Sequence, residues 1–187
     1  MTNVNSERDA IGAANIAASD DANEPTVTRK NIHVEHIRID TGKSYSEVRS
    51  ALERLPRFDD RIRTLLDYGE IAHVKSELNR IQGDAGLVVF SVATHGDWLR
   101  IIDLRTRNAV QLVIGNVLVS TQMTRHELAA GLYAPLRIVV YENMTGTATV
   151  EYDRPSTLFG QYGNRNVDTV AQELDQKIFD ALIKAAS

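Results

Sequence analysis

Arg137 and the tripeptide Asp153-Arg154-Pro155 bracket a pair of strand-like runs, so antiparallel pairing would return two guanidinium groups and a carboxylate to one sheet end. A guanidinium is a planar fork of N–H donors that grips a carboxylate or phosphate through parallel hydrogen bonds, which makes these arginines candidate anion readers. Pro155 has no ladder donor and biases Arg154 away from helical geometry, so Tyr152, Asp153 and Arg154 are expected at a strand end. Tyr133, two residues before Pro135, adds an aromatic ring whose hydroxyl reaches water. The blander expectation is that Arg137 pairs with Asp153 or Glu151 and holds nothing else.

His95-Gly96-Asp97-Trp98 is the second constellation, a turn able to set an imidazole, a carboxylate and an indole along one wall of a cleft. His126, followed by Glu127, falls in a helical stretch. His95 and His126 with Asp97 or Glu127 would suit zinc or non-haem iron by ligand type, but the spacing matches no HExxH or paired-histidine pattern, and no metal site is predicted. His33, His36 and His73 read as surface or turn residues, though a bulge could bring His33 and His36 to one face. Asn116, after Gly115, stands where it can cap a helix whose start could bind an anion. There is no Walker loop, dinucleotide fingerprint or GxSxG elbow, and the absence of cysteine excludes disulfides, thiolate catalysis and Cys-containing zinc patterns. No catalytic residue is assigned and nothing names a cofactor. The candidate ligand-binding set is His95, Asp97, Trp98, Asn116, His126 and Tyr133, with Arg137, Tyr152, Asp153 and Arg154.

The elements that must position these groups are legible from periodicity. Residues 32–40 alternate as Ile32 and Val34, then Ile37 and Ile39 out of phase, which predicts a strand bulged near Glu35 and His36. Ser44 followed by Glu47 is a capping box opening a helix that carries Val48, Leu52 and Leu55 to Pro56. Residues 59–81 have helical apolar spacing divided at Gly69. Three strands are expected from LVVFSVA, WLRIIDL and AVQLVI, then a helix over residues 118–130, and a hairpin over residues 134–152. A closing helix places Val167, Val170, Ala171, Leu174, Ile178, Leu182 and Ala185 on one stripe.

A chain of 187 residues is long enough for one sizeable core. Residues 1–28 are rich in small, polar and acidic side chains and are expected to form a mobile arm, with a single domain over residues 29–187. A net charge of -4 with mixed signs argues against a duplex-binding surface. No apolar run approaches the roughly 18 residues of a spanning helix, and no signal-peptide pattern opens the chain, so no nucleic acid or membrane partner and a cytoplasmic location are expected.

The segment GLYAPLRIVVYENMTGTATVEYDRPS, residues 131–156, together with AVQLVIGNVLVSTQMTRHELAAGLYAPLR, residues 109–137, resembles the DUF302 family of unknown function. The resemblance runs from about Asn31 to the C-terminus and includes the Asp153 and Pro155 positions and that of His95. It departs where Val117 stands in place of the family's proline after Gly-Asn. It implies a TATA-binding-protein-like arrangement and homodimers. The expected class is α+β, an antiparallel sheet of five or six strands with packed helices. The expected role is a small-molecule-binding or sensory domain selecting an anionic or aromatic ligand. A metal-assisted or acid/base enzyme and a structural homodimerisation module are the alternatives.

Overall fold

The first helix begins as the Ser44–Glu47 spacing predicts: the Ser44 hydroxyl accepts the Glu47 amide, and the Glu47 carboxylate accepts the Ser44 amide at 2.9 Å. Helix α1 (Tyr45–Glu53) buries Val48 and Leu52, and the chain leaves it before Pro56. In this computed structural model the described residues are 25–103 and 107–187. Most of the expected arm, residues 1–24, lies outside them; residues 25–35 carry no helix or strand, and Ile32–Ser187 forms one compact unit.

Five strands form one antiparallel sheet: β1 (His36–Asp40), β2 (Val88–Ala93), β3 (Ala109–Gly115), β4 (Leu136–Glu142) and β5 (Ala148–Asp153), in the order β1-β5-β4-β3-β2. Alternation sends Val110, Leu112, Ile114, Leu136, Ile138, Val140, Val150 and Tyr152 into the core. The closing helix α8 (Arg165–Ala186) supplies Val167, Ala171, Leu174, Ile178, Leu182 and Ala185 to the same core, as its stripe predicts. Helix α1 packs on β4, β5 and α8, while α6 (Val117–Thr124) and α7 (Pro155–Phe159) pack on α8. A second cluster joins α2 (Arg61–Asp67) and α3 (Ile71–Ile81) to Val88 through Ile62, Val74, Leu78 and Ile81. Gly69, at φ +74°, makes the break between these two helices where a side chain would be strained.

Three expectations are corrected. The first strand starts at His36, and no bulge falls at Glu35 and His36; the change of phase marks the strand's beginning, with residues 32–35 outside it. The sheet's one register irregularity lies instead between Val89 and Ser91 of β2.

Residues 98–103, the described part of WLRIIDL, form no strand. They run through the short helical turns α4 (His95–Trp98) and α5 (Arg100–Asp103), leaving Trp98, Ile101 and Ile102 exposed, so the sheet has five strands and not six. β-branched side chains report a fit to a packed, pleated surface, and no strand pairs with this stretch. The close approach that shapes the connection is at Gly96, where a Cβ would overlap the Arg107 carbonyl oxygen.

The helix expected over residues 118–130 is two elements, α6 and a 3-10 stretch at Leu128–Tyr133. Ser120 and Thr121 hydroxyls turn back onto the Val117 and Leu118 carbonyls, and Glu127, at φ -147°, caps the new turn by accepting the Ala129 amide.

Candidate functional site

The register Ile138↔Tyr152 buries that pair and makes Arg137 and Asp153 the next neighbours outward, on the opposite face of the sheet. These two residues line a notch of about 60 Å³ with Leu132, Tyr133, Pro135, Leu136 and Leu158. The Ala134-Pro135 bond is cis and turns the chain into β4. Tyr133 is held from behind, its ring edge-on to Phe159 at 6.0 Å and tilted to Tyr162 at 6.4 Å. Tyr162 in turn donates its hydroxyl to the Ala129 carbonyl at 2.7 Å. The structure therefore brings Tyr133, Arg137 and Asp153 together.

Arg154 is not part of that set. Its Nε donates to Asp175 at 2.8 Å and its Nη1 to Glu35 at 2.9 Å, while the other Asp175 oxygen accepts the Ser156 amide at 2.8 Å. This clamp ties the end of β5 to α8 and to the segment before β1, and the carboxylates, Asp175 first, raise the guanidinium above its usual range. Tyr152 is also removed from the notch: it is 4% exposed and its ring belongs to the core, where burial pushes the phenol up. Arg137 behaves differently. Its side chain is exposed, and among the described residues its guanidinium has no hydrogen-bond or ion-pair partner. The expected pairing of Arg137 with Asp153 or Glu151 is not formed, and each carboxylate bonds another residue through one of its oxygens.

That residue is His36, which sequence reading passed over. Its Nδ1 lies 2.8 Å from Asp153 and its Nε2 3.2 Å from Glu151, whose other oxygen accepts the Tyr141 hydroxyl at 2.7 Å. The signal that would have found it is the strand register, since His36 stands directly across from Asp153. Beside it, Arg38 pairs with Asp40 at 3.0 Å, and Thr149 donates to Asp40 at 2.6 Å.

The Asp153 hydrogen bond, then that of Glu151, raises His36 above 6.5. A raised histidine contributes stability that is fully present below about pH 6.5 and disappears as pH climbs through the raised value. The ring is 57% exposed, so screening limits the effect to about 0.5 kcal/mol. Thermal unfolding between about pH 6 and pH 8.5 is expected to show this loss in the wild type and a flatter profile in His36→Gln.

Asn116 is 8% exposed and fully engaged within the protein. Its Oδ1 accepts the Leu118 and Val119 amides at 2.8 and 3.4 Å, and its Nδ2 donates to Gln82 at 2.7 Å and to the Gly86 carbonyl at 2.8 Å. The helix start that could have held an external anion is therefore filled by this carboxamide.

His95, Asp97 and Trp98 stand apart from the notch. The chain leaves β2 at Ala93, level across the sheet with Gln111 and Val139, and continues away from the end at which Arg137 pairs with Val113. His126 is exposed beyond the end of α6, its amide bonded to the Met123 carbonyl. Among the described residues no group of three or more His, Asp or Glu side chains is arranged to hold a metal ion. No helix among them is long and apolar enough to cross a membrane.

A second concavity shares Pro135 and Leu136 with the notch. This cavity, of about 190 Å³, is lined chiefly by apolar groups of β2, β4, α6 and α8, including Phe90, Val119, Met123 and Leu174.

The profile of the family described as "Domain of unknown function DUF302" matches residues 62–185. A crystal structure of an uncharacterized conserved DUF302 protein from Bacillus stearothermophilus is similar at 18% sequence identity, covering 81% of this chain and 98% of that one with a TM-score of 0.57; at that identity the likeness concerns the fold alone. No curated protein matches this chain.

Proposed function

From the premise that this chain belongs to the DUF302 family, a domain of unknown function, we propose that it is a small-molecule-binding or sensory domain whose ligand carries an anionic group read by Arg137. One observation carries the reading: Arg137 lacks a partner among the described residues in a notch beside Tyr133, whereas Arg154 and Arg38 are engaged by carboxylates. A free guanidinium at a partly walled site offers a carboxylate or phosphate two parallel hydrogen bonds, while the neighbouring Asp153 is bonded to His36 through one of its oxygens. A cytoplasmic location belongs to the same proposal.

Native mass spectrometry after gentle purification is expected to find a co-purifying acid, and calorimetric titration with it should show Arg137→Ala weakening affinity by about tenfold or more. Stability should stay within about 0.5 kcal/mol of wild type, since the side chain is exposed. Equal affinity in the variant would remove Arg137 from the site.

Homodimerisation is a companion proposal. The sheet face opposite the core carries half-buried Val113 and Val139 among polar side chains, a surface a second copy could cover. Sedimentation over a micromolar concentration series is expected to show a dimer, and a monomer throughout would contradict it.

A further inference from the structure

We infer that the cavity beneath Pro135 is a chamber for an aromatic ring or a short branched hydrocarbon, so that the ligand is an aryl or short-chain acid rather than a bare anion. The acidic half of that description rests on the proposed role of Arg137; the apolar half stands on the cavity.

Size is the first support. The volume is about 190 Å³, and a dry apolar cavity of about 150 Å³ already takes up benzene. Polarity is the second. The wall's polar side chains face inward bonds of their own: both ends of the Asn116 carboxamide are engaged, and the Ser120 hydroxyl donates to the Val117 carbonyl at 3.0 Å. Ordered water needs two to four polar partners, and these side chains offer it few, so displacement by hydrocarbon is favoured.

The third support is the character of the walls. Phe90 is held in place by stacking on Phe58 at 4.9 Å, and Met123, 1% exposed, contributes a side chain that adapts to irregular shapes. Pro135 and Leu136 belong to both this cavity and the Arg137 notch, which places an apolar body and a charged head on adjoining sides of one turn.

The test uses 3-phenylpropionate, its neutral amide and acetate, titrated by calorimetry and protein NMR into the full chain and into Val119→Phe, Ser120→Leu and Arg137→Ala. Val119 and Ser120 are half-buried on the cavity wall, and two separate variants guard against one that fails to fold. The expected result is that the propionate binds about tenfold or more tighter than acetate. Each cavity-filling variant should weaken both ring probes about tenfold, and Arg137→Ala should weaken only the acid. If the acid and acetate bind alike and the cavity-filling variants change nothing, the inference is overturned while the Arg137 reading stands. If the acid and amide bind alike and Arg137→Ala is silent, the Arg137 reading falls and the chamber stands. Absence of ring-probe binding at millimolar concentration also overturns the inference.

Discussion

Phe159→Ala is expected to lower the unfolding free energy by about 3–5 kcal/mol, the range for removing a large ring from a core that relaxes only partly. Phe159 is fully buried in α7, where Pro155 at the helix start sets the direction of entry, and it belongs to the core shared with α8. It is also the edge-on support of Tyr133. The ring therefore links packing to function: its loss should both destabilise the fold and loosen one wall of the notch. Urea denaturation followed by far- and near-ultraviolet dichroism measures the first effect, with a slope like that of wild type showing that only stability has changed. Phe159→Leu conserves most of the volume and is expected to cost under about 1.5 kcal/mol. Equal costs for the two substitutions would mean that cavity formation is not the cause.

Asn116→Ala is expected to cost about 2–4 kcal/mol, because one side chain serves three parts of the fold. Its oxygen caps α6, which is worth about 1 kcal/mol. Its amide satisfies the Gly86 carbonyl and the Gln82 side chain, both part-buried, and leaving such acceptors without a donor costs at most about 1–3 kcal/mol more. Asn116→Asp separates the two contributions. The carboxylate still caps the helix but sets negative oxygens against the Gly86 and Gln82 acceptors, so it should remain destabilising. Full stability in Asn116→Asp would assign the whole effect to the cap. Denaturant titration of the three proteins at one pH well above the carboxylate range distinguishes these outcomes.

How far the fold was readable depended on whether local chemistry and tertiary packing agreed. The Ser44–Glu47 box, the break at Gly69, the hairpin before Pro155 and the stripe of α8 all follow from short-range rules that packing reinforces. WLRIIDL failed as a strand over its described residues because β-branched composition reports a packed surface only when a neighbour exists to pack against, and Trp98, Ile101 and Ile102 remain exposed. The helix expected over residues 118–130 is divided because Glu127, in extended backbone, caps a separate 3-10 turn by accepting the Ala129 amide.

The site was legible in part for a related reason. Arg137 and Asp153 could be brought together from hairpin pairing alone. The engagement of Arg154 by Asp175 spans 21 positions, and that of Asp153 by His36 spans 117, so neither is visible to local reasoning. Those distant partners decide the chemistry: they hold Arg154 and Asp153 and leave Arg137 open. The separation of His95 and Trp98 from the notch likewise depends on strand order, which a pattern of turns does not specify.

The most direct test is a crystal structure of the protein with its co-purifying acid, or with 3-phenylpropionate, bound. Two oxygens of the anionic group are expected within about 3 Å of the Arg137 guanidinium, with Arg154 still paired to Asp175 and Glu35. An anion seated elsewhere, with Arg137 left in solvent, would contradict the assignment.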